Sequence, residues 1–190
     1  MTTSKKTAAA AAPMTFASSD LAAYGHGLVV IARDKGTKAE TATFVVDVLA
    51  TGVRRANRSA VPLATFLNKA LPALHAEHHT VPVPPGVALA ILTGAVAFAK
   101  KSGLPTPPAY EEAVALFDGV TAGEPGLTFG KNGKPHFRPM PGDNEDAIEA
   151  TLGRLRKTCG PDGFTYDLDE FDEDVIDGDD DAVSGDSVDD

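Results

Sequence analysis

After Tyr166 the chain changes character. The 24 residues from Asp167 to Asp190 hold 13 Asp or Glu and no Lys or Arg. Like charge at that density, with few apolar residues to bury, cannot repay the entropy of ordering the chain. Residues 167–190 are therefore expected to form a disordered acidic tail. The break also hides a second fact. The whole chain carries 27 acidic and 17 basic residues, a formal charge of -10. With the tail set aside, residues 1–166 keep 14 acids against all 17 bases and are mildly basic.

At the other end, residues 1–20 are rich in Ala, Thr and Ser and lack periodicity, so they read as a disordered leader. Met1–Pro13 holds Lys5, Lys6 and five consecutive alanines. That run is too short and too weakly apolar for the hydrophobic region of a secretion signal. One domain over residues 21–166 remains. Hydrophobic residues make up 43% of the chain, enough for a core, but aromatics only 6% with no Trp. Ala and Val must do most of the packing. The single cysteine, Cys159, excludes an internal disulfide and a cysteine-built zinc site, and a cytoplasmic location is expected. No stretch approaches the length of a membrane span.

Within the body, His26–Arg33 (HGLVVIAR) and Thr41–Leu49 (TATFVVDVL) are β-branched apolar runs flanking the turn-like Asp34-Lys35-Gly36. They predict an antiparallel strand pair. Val61–His75 has apolar residues at roughly helical spacing, with Pro72 expected to end or kink the helix. Val81–Pro85 reads as an extended connector. Gly86–Ser102 is apolar nearly all round and rich in Ala, the pattern of a buried, closely packed helix. Pro107-Pro108 opens a helix over Ala109–Asp118. Leu127–Met140 predicts a β-hairpin around Asn132-Gly133. Asp143 is expected to N-cap a helix from Asn144 to about Lys157, and Phe164–Tyr166 to form a last strand. The order β-β-α-α-α-β-β-α-β segregates helices from strands and argues for an α+β fold.

Three stretches, taken in order, resemble a family of uncharacterised bacterial proteins. They are Phe44–Leu49 with Gly52-Val53, Gly94–Val96 with Phe98–Pro105, and Phe129–Pro135; the closing Gly160–Tyr166 is similar too. The likeness covers roughly residues 24–168. Some members of that family are fused to a SEC-C type zinc-binding motif, which has no counterpart in this chain. The resemblance implies a single domain and supplies no mechanism.

Several constellations carry chemistry. In His75-Ala76-Glu77-His78-His79, a helix would put His75 and His79 on one face, a spacing that chelates zinc. A third ligand would have to come from His78 or from a distant carboxylate such as Asp47 or Asp118. The plain reading is a polar helix end. Lys131, Lys134, His136 and Arg138 form a basic group in the predicted hairpin. Its last three members alternate and so share one face that could contact phosphates. The plain reading is a solvated hairpin edge. Arg54, Arg55 and Arg58 form a second basic group, read as solvated surface. Asp47 interrupts an apolar strand, and is either a functional carboxylate, a residue on the wet face of the strand, or a cap for the turn into Gly52. Gly130-Lys131 lacks phosphate-loop spacing. The aspartates at 177, 179 and 181 fail as a calcium loop, because Ala182 and Val188 stand at its sixth and twelfth positions.

These features favour a non-enzymatic binding or adaptor domain. Its partner would be a protein or a nucleic acid met through the basic hairpin, with the acidic tail modulating contact or serving solubility. A metal-dependent hydrolase using His75–His79 is one alternative. An accessory protein of a toxin or defence system is another. Beyond that metal, no cofactor is implied.

Overall fold

The computed structural model describes residues 12–168, so the expected acidic tail lies outside the described residues except for Asp167 and Leu168. Five strands form one antiparallel sheet in the order β4-β3-β2-β1-β5. They are β1 (Met14–Ser18), β2 (His26–Asp34), β3 (Lys38–Asp47), β4 (Gly52–Pro62) and β5 (Thr80–Pro82). The α+β class and the pairing of the two β-branched runs stand as expected; Val29 faces Phe44 and Ile31 faces Ala42 across them.

Three strands depart from the expected order. Met14–Ser18 is not leader: β1 lies inside the sheet between β2 and β5, with Phe16 and Ala17 buried. β4 extends from Gly52 through Pro62, where no strand was expected until the helix. Its polar residues Arg55, Asn57, Arg58 and Ser59 are tolerated because β4 is an edge strand with much of its length exposed. The Val81–Pro85 connector contributes β5, an edge strand that accommodates Pro82.

The two faces of the sheet are buried differently. Val29, Ile31, Phe44, Val46 and Val53 pack against α4 (Pro85–Lys101) and α5 (Ala109–Val114). Alanines at 88, 95 and 99 let α4 come close. At Gly52, with φ of +72°, a Cβ would stand 2.8 Å from the Ala95 carbonyl oxygen, so only glycine starts β4 there. The opposite face carries Phe16, Val30 and Ala32 under a continuous helical segment. That segment runs through α2 (Leu63–Thr65), a π-helical stretch Phe66–Ala70, and α3 (Leu71–His78). Pro72 neither ends nor visibly breaks it. Its ring crowds the carbonyl four residues back, and the wider π turn just upstream absorbs the clash.

The predicted hairpin over 127–140 does not form as two paired strands. Its turn does: Asn132 and Gly133 both take positive φ, and Lys131 and Lys134 exchange backbone hydrogen bonds. The flanks bond elsewhere, Gly130 N–H to the Val48 carbonyl and His136 N–H to that of Leu49. Phe129 meanwhile lies against Gly94 and stacks with Phe98. The return segment β6 (His136–Phe137) pairs in parallel with β7 (Thr165–Tyr166). Between them runs α6 (Glu145–Cys159), whose Leu152 and Leu155 pack with Phe137, Phe164 and Leu104 in a second core. Its N-cap is Asn144, whose Oδ1 accepts from Ala147 N–H at 2.9 Å, rather than Asp143.

Candidate functional site

One end of the α2–α3 face is left open. Leu28, Val45 and Arg55 are cross-strand neighbours in a single row there. They floor a cleft of about 580 Å³. Tyr24, from α1 (Leu21–Tyr24), and His26 stand on one side, with Glu77, His78 and His79 at the end of α3. The turn Met140–Asp143 closes the other side. Tyr24 is the most exposed large hydrophobic side chain among the described residues, at 59%.

A backbone irregularity builds that last wall. Val45 pairs with Arg55 but Val46 pairs with Val53, so Arg54 is the extra residue of a β-bulge. Bulges re-aim side chains. Arg54 Nη2 reaches Asp143 Oδ1 at 2.5 Å. Asp143 Oδ2 accepts from Met140 N–H at 2.8 Å, and Asp143 N–H donates back to the Met140 carbonyl at 2.9 Å. The wall is therefore a closed turn pinned to the sheet by one mostly buried ion pair. Arg54 Nη1 is buried with no hydrogen-bond partner among the described residues, a cost borne to hold Asp143. The second basic group is thus divided: Arg54 pins the turn, Arg55 lines the cleft, and Arg58 reaches Glu40 and the Glu112 carbonyl.

The histidine segment does not assemble a metal centre. His75 Nδ1 lies 2.6 Å from the Thr80 carbonyl oxygen and 2.9 Å from its hydroxyl, which commits that ring to the start of β5. His78 and His79 line the cleft instead, and His79 ends α3 in the left-handed conformation. Among the described residues no group of three or more His, Cys, Asp or Glu side chains is placed to hold one metal ion.

Asp47 is buried, and its carboxylate is fully engaged by the turn that follows it. Oδ1 accepts from Leu49 N–H and Ala50 N–H, and Oδ2 accepts from Thr51 N–H and its hydroxyl, all within 2.6–3.1 Å. It caps the β3–β4 turn.

The basic strip of the predicted hairpin is not one open face. His136 is only 8% exposed, and its Nδ1 lies 2.8 Å from the Thr165 hydroxyl. Burial, then Lys131 and Arg138, hold its pKa below the ordinary histidine value; Asp167 and Asp47 act in the opposite sense. Lys134 Nζ donates to the Asp162 carbonyl at 2.9 Å, tying the turn to the body.

Tyr24, His26 and the Met140–Gly142 turn carried no functional reading in the sequence. A local signal existed for the turn, since Pro141-Gly142 is a turn dipeptide just before a helix. None existed for His26, which the β2–β3 pairing brings to the cleft, or for Tyr24, which α1 brings there. The fold and cleft together define an α+β domain with an open, mixed-charge groove over one end of an antiparallel sheet. Comparisons of the chain with family models, curated proteins and solved structures find no match. No helix among the described residues is long and apolar enough to cross a membrane.

Proposed function

We propose that this chain is a non-enzymatic binding domain whose cleft takes an extended, carboxylate-bearing segment of a protein partner. The observation that carries the reading is the composition of the cleft. Arg55 and three histidines, His26, His78 and His79, surround an apolar floor of Leu28 and Val45 beside the exposed Tyr24 ring. Guanidinium and imidazole groups recognise carboxylates, and the floor and ring take the apolar side chains between them. A nucleic-acid strand fits less well. It brings a phosphate at every nucleotide, while Asp20 and Glu77 place carboxylates on the same cleft. The two His–Thr contacts, His75–Thr80 and His136–Thr165, resemble base–hydroxyl pairs but do not line the cleft.

The test is titration of the chain, with its tail acids changed to Asn and Gln so that they do not compete, by an acidic peptide of about 12 residues and by an oligothymidylate of equal length. The expected result is peptide binding that shifts the amides of Tyr24, Arg55 and His78 and weakens about fivefold or more in Arg55→Glu. Binding of the oligonucleotide in preference to the peptide, or of neither, overturns the reading.

A further inference from the structure

We infer that a second hollow, which shares Arg54 with the cleft, is a binding site for a small organic monocarboxylate. The inference stands apart from the peptide reading of the cleft, because it uses the other guanidinium nitrogen of Arg54 and a different set of neighbours.

It starts from two orphaned atoms. Among the described residues, the buried side-chain polar atoms with no hydrogen-bond partner are Arg54 Nη1 and the Thr106 hydroxyl. One belongs to the sheet and the other to a loop far along the chain, yet both residues line one hollow of about 280 Å³. Three parts of the fold build it. The β3–β4 turn and the bulge after it supply Thr51 and Arg54. The Leu104–Pro108 segment between α4 and α5 supplies a largely apolar wall. The α6 helix supplies Thr151 and Arg154, three positions apart and so on one face. Pro105, Pro107 and Pro108 stiffen the wall and remove three backbone N–H groups, so recognition falls to side chains.

The unused groups are donors. Thr51 already donates its hydroxyl hydrogen to Asp47 at 2.6 Å, and Thr151 donates its own to the Ala147 carbonyl at 2.8 Å. Arg54 Nη1, the Thr106 hydroxyl and the exposed Arg154 guanidinium remain. Water brings two hydrogens that such a set does not need, whereas a carboxylate brings acceptor lone pairs alone. Charge selects one negative charge. No carboxylate lines the hollow. Asp143 is held on Arg54 Nη2, and Asp47 lies behind Thr51 with both oxygens engaged by its own turn. Arg154 makes no ion pair among the described residues and is the cation left to balance the ligand. Leu104 and the prolines offer a short aliphatic body the apolar contact it needs.

The experiment titrates the full chain with sodium butyrate, with the neutral isostere butyramide and with inorganic phosphate, following backbone amides. A ligand this small is expected to bind at about millimolar. Butyrate should shift Thr51, Arg54, Thr106 and Arg154 saturably, and butyramide should bind about fivefold or more weakly. Affinity for butyrate should drop about fivefold or more in Arg154→Ala and in Thr106→Val. Neither variant threatens the fold, since Arg154 is exposed and Val replaces an unbonded hydroxyl at nearly equal volume. Arg156→Ala, which removes a nearby α6 cation outside the hollow, should leave affinity unchanged. No saturable shift at these amides means that solvent completes the orphaned pair, and overturns the inference. Equal binding of butyramide, or an equal loss in Arg156→Ala, overturns it as well. Tighter binding of phosphate than of butyrate overturns the assignment of a carboxylate.

Discussion

Asp47 shows how one residue can look functional and be structural. A carboxylate between Val46 and Val48 would be costly to bury unpaired. It is not unpaired, because the three backbone N–H groups and one hydroxyl of the following turn all point at it. Removing the carboxylate orphans those donors where water reaches poorly. Asp47→Ala is expected to lower stability by about 2–4 kcal/mol in urea unfolding, and Asp47→Asn, which keeps one acceptor oxygen, by roughly half as much. Acidic-peptide binding at the cleft should be unchanged in Asp47→Asn. A loss below about 0.5 kcal/mol in both variants would show that the turn does not depend on the carboxylate.

At the scale of elements, the cleft depends on a coupling between pieces far apart in sequence. The β4 bulge turns Arg54 toward Asp143, 89 positions along the chain, and Asp143 closes its own turn through Met140. The wall should therefore loosen as a unit when Arg54 is lost. Arg54→Ala leaves Asp143 a mostly buried carboxylate without its cation, at a cost of about 1–3 kcal/mol. Amide exchange should accelerate at Met140 and Asp143, and hardly at all at Phe44 or Val46 in the central sheet. Unchanged exchange at Asp143 would mean that α6, not Arg54, holds the turn. The π stretch at Phe66–Ala70 is a second element-scale accommodation. It lets one continuous helical segment pass Pro72 and carry His78 and His79 to the cleft.

For the molecule as a whole, the buried His136 links stability to pH. Its folded pKa is below the ordinary value of 6.5, chiefly through burial and secondarily through Lys131 and Arg138. Between the folded value and 6.5 the unfolded chain binds more protons than the folded one, so stability rises with pH across that window. Above 6.5 the residue imposes no penalty; as pH falls from 6.5 toward the folded value, stability is lost. The urea midpoint is expected to fall between about pH 7.5 and about pH 5.5, and to fall less in His136→Gln. An equal slope in the variant would remove His136 as the cause.

What the sequence by itself determined was local. The β2–β3 pair follows from two β-branched runs around Asp34-Lys35-Gly36, and α4 from an unbroken apolar, alanine-rich stretch. The turn at Asn132-Gly133 follows from two residues that accept positive φ. Each of these is decided by neighbours within a few positions. Tertiary structure decided the rest, for reasons no local pattern carries. Met14–Ser18 becomes a strand because β2 and β5 both offer it an edge. The flanks of Asn132-Gly133 stay apart because Val48 and Leu49 take their hydrogen bonds and Gly94 makes room for Phe129. The histidine cluster is divided because Thr80 holds His75 while the end of α3 presents His78 and His79 to the cleft. The site joins residues from 18 to 143 across one row of the sheet, and such a row exists only once the strands have found their register.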